Sequence, residues 1–380
     1  MTKIDIDSMR FAVIGVAAAI FPTHRRAQIA EDINVVAACD LREEAGKARA
    51  AEIGCAFYTD YHTMLAETRP DAVVVVTPHP AHPSIAIDCL RAGCHVLVEK
   101  PMAADVSAAD AMIAEADKAG RILAVNFQHR FRPAVERARQ LVTDGAIGPL
   151  VRTLSVEPWF RTAYYYTIDP WRAAWTGAGG GVQLNQSPHT LDTLCHLAGM
   201  PSKVWGWERT LYHAVESEDT AQAMFEYPNG APGYLTASTG EHGVQPRLQV
   251  VGENGAIELV GNTLTIHRSS PSTREYMHTS REMFGKPDTH SETIDIPDTS
   301  GGHEAVYRDF QAAVRDGRQP RANGREGRMS LELANAIKLS SYSDRSVKLP
   351  LDRAAYQALL ADLQAGRHPL NPDGFPPRRA

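Results

Sequence analysis

A chain of 380 residues with 43% hydrophobic and 22% charged residues is ordinary globular protein, long enough for about two or three domains with their own cores. A formal net charge of −6 excludes a basic nucleic-acid footprint, and no apolar run reaches membrane-spanning length. The five cysteines, Cys39, Cys55, Cys89, Cys94 and Cys195, are odd in number and form no CxxC pair, which argues for a reducing cytoplasm rather than a disulfide framework.

Residues 1–8 are polar and read as a loose start. The apolar stretch 17–21 lies too deep and too close to Arg25-Arg26 to be a signal-peptide core. Then come five short apolar runs: "RFAVIG" (10–15), "INVVAACD" (33–40), "AVVVV" (72–76), "HVLVE" (95–99) and 122–125. Runs this apolar read as strands buried on both faces. Helix-like segments at 41–53, 83–92 and 107–119 separate them. Alternation of this kind predicts βαβ units in a doubly wound parallel sheet, with ligands outside the carboxyl ends of its strands.

A dinucleotide fingerprint wants GxGxxG after the first strand. Here Gly15 is followed by Val16, Ala17, Ala18, Ala19 and Ile20. Ala17 still allows a fairly close approach to a pyrophosphate, Ala18 follows it, and Ile20 must pack differently from a glycine. The loop alone leaves a plain βα turn open. Asp40 ends the second strand where the fingerprint expects an acid for the ribose hydroxyls. Its charge repels a 2′-phosphate, which favours NAD over NADP, although Arg42 offsets part of that preference. Asp40 is equally placed to cap the helix that follows. Beyond the third strand, prolines fix the chain around Thr77 and His82. His79 and His82 lack the further ligands of a tetrahedral set, so no metal is expected. Beyond the fourth strand stands Glu99-Lys100-Pro101, with Lys100 poised to exchange a proton or bind a hydroxyl oxygen.

From residue 151 the pattern becomes strands joined by turns: 151–157, 203–209, 220–227, 233–239 and 247–251. Asn229-Gly230, Glu253-Asn254-Gly255 and Gly261-Asn262 are the turn signals. Residues 269–300, rich in Ser, Thr and Pro, read as a long loop. Helices are expected at 303–316, 326–341 and 351–365, and a tail at 368–380 with a short basic tip. Two stretches stand out. "RTAYYYTIDPWRAAW" (161–175) gathers Tyr164, Tyr165, Tyr166, Trp171 and Trp175 in a chain with only 7% aromatics. Rings and guanidinium groups of this kind suit polyol recognition, and packing under the sheet remains equally open for the three tyrosines. "GGGVQLNQSPHTLDTL" (179–194) reads as a glycine entry into one helix, with Asn185, His189 and Asp192 at i, i+4 and i+7 on one face.

Glu99-Lys100-Pro101 after the βα pattern, together with the later "GGG…H…D" block, resembles the glucose-fructose oxidoreductase / inositol dehydrogenase / rhizopine catabolism (Gfo/Idh/MocA) family over about 10–349. The resemblance implies an α/β fold class. An N-terminal Rossmann doubly wound parallel sheet (1–126) would precede a C-terminal α+β domain with an open, mostly antiparallel sheet (127–350), then a C-terminal helix and tail (351–380). It implies hydride transfer between NAD and a sugar, glycoside or inositol-like carbon. Gly15, Ala17, Ala18, Asp40, Thr77, His82, Glu99, Lys100 and Asn126 would border the cofactor. Asn126 is also explained as a turn residue. Lys100 and His189 would be catalytic, with Tyr165, Trp171 and Arg172 binding substrate beside them. Four residues before the His the family usually has Asp, and this chain has Asn185, an amide that positions a hydroxyl but cannot titrate. Homodimers or homotetramers are implied by the resemblance alone. Three further readings stay open: bound NAD without net redox, as in some glycosidases; oxidation of a cyclic dihydrodiol; and a non-catalytic NAD-binding sensor. Retention of both Lys100 and His189 argues against the sensor.

Overall fold

Runs of β-branched residues buried on both faces pair in parallel, because crossover helices then cover both sides. The computed structural model, which describes residues 9–296 and 302–367, builds such a sheet from β1 (Arg10–Ile14), β2 (Asn34–Cys39), β3 (Ala56–Tyr58), β4 (Ala72–Val75), β5 (His95–Val98) and β6 (Leu123–Val125). All pairings are parallel, in the order β3-β2-β1-β4-β5-β6. The order reverses between β1 and β4, and a crevice opens outside the carboxyl ends at such a switch point. Every residue of β4 and β5 is buried.

The chain divides into two units. The first takes residues 9–131 and 302–331, the second 132–296 and 332–367. In the first, helices Phe21–Ala30 and His303–Asp316 pack on the sheet, and Phe11, Val13, Phe21, Val74, Leu97, Tyr307 and Phe310 share one core. Asp105 caps helix Val106–Ala119 by accepting from the N–H groups of Ser107 and Ala108. Three elements here escape the apolar pattern. Helix Phe21–Ala30 buries the polar His24 and Gln28 on its inner face, which erases the periodic stripe. β3 is three residues long, and helix Tyr61–Thr68 has eight.

The second unit is a sheet covered on one side. Its strands are β7 (Leu150–Pro158), β8 (Lys203–Arg209), β9 (Thr220–Glu226), β10 (Pro232–Ser238), β11 (Arg247–Gly252), β12 (Gly255–Val260), β13 (Thr263–Ser270), β14 (Asp288–Asp295) and β15 (Val347–Lys348). The order is β14-β13-β12-β11-β7-β10-β9-β8-β15, antiparallel apart from the β7–β10 pair. Helices Pro133–Thr143 and Pro188–Ala198 lie against one face. The other exposes Trp205, Trp207, Met224 and Tyr234, with Trp205, Met224 and Tyr234 in one cross-strand row. The expected loop at 269–300 is corrected: it holds a helix, Thr273–Thr279, and β14, which pairs with β13 along its length. β14 is an edge strand with polar residues on both faces, so no apolar alternation announces it. Its pairs are polar too, with His267 Nδ1 2.7 Å from Ser291 Oγ. The loose start at 1–8 and the tail with its basic tip lie outside the described residues.

Candidate active site

At the carboxyl edge of the parallel sheet, Gly15 takes φ +95°, and a Cβ there would stand 2.9 Å from Thr77 N and Val76 C. The first glycine is therefore a steric requirement. At the third fingerprint position Ile20 is exposed. The loop is strapped to β2 instead. Gly15 N–H donates to Cys39 O (2.7 Å), and Ala17 N–H to Asp40 Oδ2 (2.8 Å). Asp40 Oδ1 accepts from Arg42 N–H (2.9 Å). The helix-cap alternative for Asp40 does not form, because helix Glu43–Ile53 begins at Arg42 with no side-chain cap. Oδ1 also accepts from Arg42 Nε (3.4 Å), while Oδ2 takes one N–H and keeps acceptor capacity for a hydroxyl. Ala17 and Ala18 are half-buried just before helix Phe21–Ala30.

His82 ties two neighbouring loops together, with Nδ1 2.9 Å from Pro101 O and Nε2 2.7 Å from Thr77 O. Burial lowers its pKa, and the two carbonyls oppose that shift. Glu99 is turned inward, into a buried network. Gln28 Nε2 donates to Tyr307 Oη (3.0 Å), Tyr307 lies 2.9 Å from His24 Nδ1, and His24 Nε2 lies 2.8 Å from Glu99 Oε1. One tautomer satisfies the chain: Tyr307 donates to Nδ1 and Nε2–H donates to Glu99. Burial lowers the His24 pKa, in keeping with that neutral ring. Burial alone would raise the Glu99 carboxyl, but hydrogen bonds from His24 and His303 hold it well below the usual range. Asn126 Nδ2 and Lys100 N–H also donate to Glu99. The half-buried Lys100 thus hangs from a fixed backbone.

Among the described residues, His24, Glu99 and His303 have metal-ligand spacing, with ligand atoms within 4.8 Å of one another. In the tautomer that satisfies the chain, His24 Nε2 carries a proton and so offers no lone pair to a cation. For a dinucleotide the fit is better. Thr77 Oγ1 and Asn126 Oδ1, at the ends of β4 and β6, are buried without a hydrogen-bond partner. Such atoms are normally satisfied. A cavity of about 610 Å³ lies at the opposite, amino-terminal edge, bordered by Asp71, His95 and Arg121, and touches none of these residues.

In the second unit the one-helix reading of 182–194 is corrected. Helix Val182–Asn185 stops, and helix Pro188–Ala198 begins anew. Pro188 has no N–H to continue the first helix and is well suited to start the second. Asn185 therefore ends one helix while His189 and Asp192 belong to the next. Asn185 Nδ2 donates to Gly180 O (3.1 Å) and Gly181 O (3.3 Å). His189 is buried, and the next residue, Thr190, donates to Glu157 Oε2. Burial pushes the Glu157 carboxyl up to about 7.

The glycine entry rests on residues that no motif revealed. A Cβ on Gly181 would lie 1.7 Å from Glu218 O. Glu218 accepts from Gly181 N–H (2.9 Å) and Gln183 N–H (3.3 Å). Lys338 Nζ stands 2.7 Å from Glu218 and 3.0 Å from Glu208, fully buried. Burial, then the Glu218 charge, pushes Glu208 up to about 8. The available signal was Lys338 itself, a cation in the apolar stretch "LANAIKL".

The aromatic stretch sorts its members. Tyr164 is exposed, and Tyr166 is buried with its hydroxyl on Thr239. Tyr165 carries two guanidinium groups on its ring, Arg172 at 4.5 Å and Arg161 at 5.1 Å. Its hydroxyl accepts from Gln186 Nε2 (3.1 Å). Arg172 also stacks on Trp171 (5.3 Å) and pairs with Asp169. The sequence reading missed Arg161 and Gln186 as members of this group.

A family model for an oxidoreductase family with an NAD-binding Rossmann fold (GFO_IDH_MocA) matches residues 9–127, and the GFO/IDH/MocA C-terminal domain matches 135–258. The chain is similar to myo-inositol 2-dehydrogenase of Thermotoga maritima, 26% identical over 90% of this chain and 98% of the relative. It is 31% identical to D-glucoside 3-dehydrogenase of Escherichia coli over 51% of this chain and 55% of the relative. The WlbA dehydrogenase of Bordetella pertussis, solved with NADH and UDP-GlcNAcA, superposes with a TM-score of 0.80 at 28% identity, over 90% of this chain and 98% of that chain. With a Rossmann unit, an open-sheet unit and both family domains matched in order, this chain belongs to the Gfo/Idh/MocA oxidoreductase family.

Proposed function

We propose that this protein is an NAD-dependent dehydrogenase that moves hydride between nicotinamide and a hydroxyl-bearing carbon of a sugar or polyol. In the oxidative direction the carbinol C–H bond breaks, its hydride reduces NAD to NADH, and the carbon–oxygen bond becomes a carbonyl. The hydroxyl proton is released, and a protein base must take it. The observation that carries the reading is the carboxyl edge of the parallel sheet. Gly15 and the Ala17–Asp40 strap form a tight loop there, beside the unsatisfied oxygens of Thr77 and Asn126. Relatives named for myo-inositol and D-glucosides support the substrate class.

When bound, NAD supplies the hydride acceptor. His189 takes the hydroxyl proton, Lys100 polarises the hydroxyl oxygen, and Asn185 keeps an amide beside the glycine block. Asp40 selects NAD over NADP by its charge. Lys100 belongs to the first unit and His189 to the second, so each is tested by its own variant. The test is NADH formation by the purified protein across a panel of sugars, glycosides and polyols. No reduction of NAD or NADP with any of them would reject the reading.

Copies of the chain pair through the open sheet face, which leaves Trp205, Trp207, Met224 and Tyr234 exposed. Sedimentation of a monomer at micromolar concentration would reject that. The protein works in the cytoplasm, a placement supported by five free cysteines. Recovery of the native protein from a secreted fraction would reject it.

A further inference from the structure

Tyr165 holds an arrangement that a neutral sugar does not call for. The guanidinium carbons of Arg161 and Arg172 lie 5.1 and 4.5 Å from its ring centroid, so two cations share one aromatic ring. Arg172 is balanced by Asp169. Arg161 is not balanced: its Nη1 donates to Phe160 O (2.9 Å), its guanidinium also stacks on Trp159 (5.5 Å), and it pairs with no carboxylate among the described residues. The group therefore keeps one net positive charge on a half-buried aromatic floor.

Arg161 is also held in place from both sides of its backbone. Its N–H donates to Thr239 O (2.8 Å), and His213 Nε2 lies 2.9 Å from its carbonyl. His213 Nδ1 in turn lies 3.2 Å from Asp219 Oδ2, and Asp219 accepts from the N–H groups of Leu211, Tyr212 and His213. An arginine that merely solvates a loop needs no such foundation. A second, independent feature lies at the same ring. Gln186 is 3% exposed, its Nε2 donates to the Tyr165 hydroxyl, and its Oε1 is buried with no partner. Exchanging the two ends of the amide still leaves one group unsatisfied. That group is suited to a ligand hydroxyl, and the two guanidiniums to a ligand anion.

We infer that the substrate is an anionic sugar or polyol, its carboxylate or phosphate seated on Arg161 and Arg172 and a hydroxyl bonded to Gln186. The inference rests on the dehydrogenase reading and narrows its substrate class. Arg161 is a specificity-determining residue in this account. Its guanidinium offers several N–H donors in a fixed fork, which matches a carboxylate or phosphate edge.

The test uses matched pairs on the native protein: D-glucuronate against D-glucose, D-galacturonate against D-galactose, and D-glucose 6-phosphate against D-glucose. The expected result is a kcat/KM at least about tenfold higher for the charged member of one pair, since a charge-assisted hydrogen bond is worth roughly tenfold or more. The uronate and phosphate arms show which anion is preferred. The preference should shrink as salt is raised, because a half-exposed charge is screened. In Arg161→Gln the charged-to-neutral ratio should fall about tenfold, and Arg161→Lys should restore part of it. Equal or better turnover of the neutral members, or an unchanged ratio in Arg161→Gln, would overturn the inference and leave the dehydrogenase reading standing. If no sugar is oxidised, the dehydrogenase reading fails, and the anion site is still read by binding. Tryptophan fluorescence, with Trp159 and Trp171 at the site, should then report at least about tenfold tighter binding of D-glucuronate than of D-glucose. Equal affinities would overturn it.

Discussion

Replacing Lys338 by methionine keeps the bulk of the side chain and removes its charge. Lys338 Nζ stands 2.7 Å from Glu218, 3.0 Å from Glu208 and 4.6 Å from the Trp175 ring centroid, and the side-chain exposures of the ion set are 0% and 1%. At an effective dielectric of about 20, each contact near 3 Å has a gross attraction of ~5 kcal/mol. Desolvation cancels much of that, but removing one partner strands the carboxylates, and such a truncation costs ~3–5 kcal/mol. With a urea m value of ~2 kcal/mol per molar, the unfolding midpoint should fall by ~1.5–2.5 M. All five tryptophans lie between Trp159 and Trp207, so intrinsic fluorescence reads the second unit by itself. The pH dependence supplies a second check. Without the lysine, burial and the neighbouring Glu218 charge raise the carboxyl pKa of folded Glu208 further above the unfolded value. The folded state then binds more protons than the unfolded one, so the variant's stability falls as pH rises and recovers toward acid. A variant whose midpoint at pH 8 matches the native protein would refute this account of the cluster.

Four other outcomes are expected. Calorimetric titration should show NAD binding more tightly than NADP, and equal affinities would move the decisive contact from Asp40 to Arg42. Lys100→Ala and His189→Ala should each cut kcat by at least ~10²-fold with the circular dichroism spectrum unchanged, the usual scale for a positioned acid–base group; near-native turnover in either rejects its role. Glu157, pushed up to about 7 by burial, contributes stability that is fully present below its unfolded pKa and lost as pH rises through 7. Glu157→Gln should remove that loss, a difference of up to ~3 kcal/mol between pH 5 and pH 8.5 in fluorescence-monitored melts, and parallel melts of the two proteins would contradict it. Asn185→Asp should lower stability by ~1–3 kcal/mol, because a carboxylate would face the Gly180 and Gly181 carbonyls that the amide now serves; an equally stable variant would make those bonds dispensable.

The parallel sheet was legible because its code is local. Five of its six strands, all but the short β3, are contiguous apolar runs, and the Ala17–Asp40 strap closes within one βαβ unit. Helix Phe21–Ala30 was not legible for a functional reason: His24 and Gln28 face inward to build the Glu99 network, so the helix gives up its apolar stripe. In β7 the usual rule is inverted. Thr153, Ser155 and Glu157 are the buried set, while Leu154 and Val156 lie half-exposed on the open face.

The second unit shows where a spacing argument stops. Asn185 and His189 have the i, i+4 spacing of one helix face, yet Pro188 starts a new helix between them, and local chemistry overrides the period. What holds the segment is not local at all. Glu218 and Lys338 are separated by 120 residues, and Glu208 and Lys338 by 130. No periodicity within the glycine block encodes partners so far away. A buried charge must nevertheless be paired, so Lys338 inside an apolar helical stretch already required acids from elsewhere in the chain. Gly181 marks the same neighbour, because its missing Cβ is the space that the Glu218 backbone fills. One misplaced cation and one obligatory glycine thus point to the same contact from opposite ends of the unit, and that contact fixes the helix leading to His189.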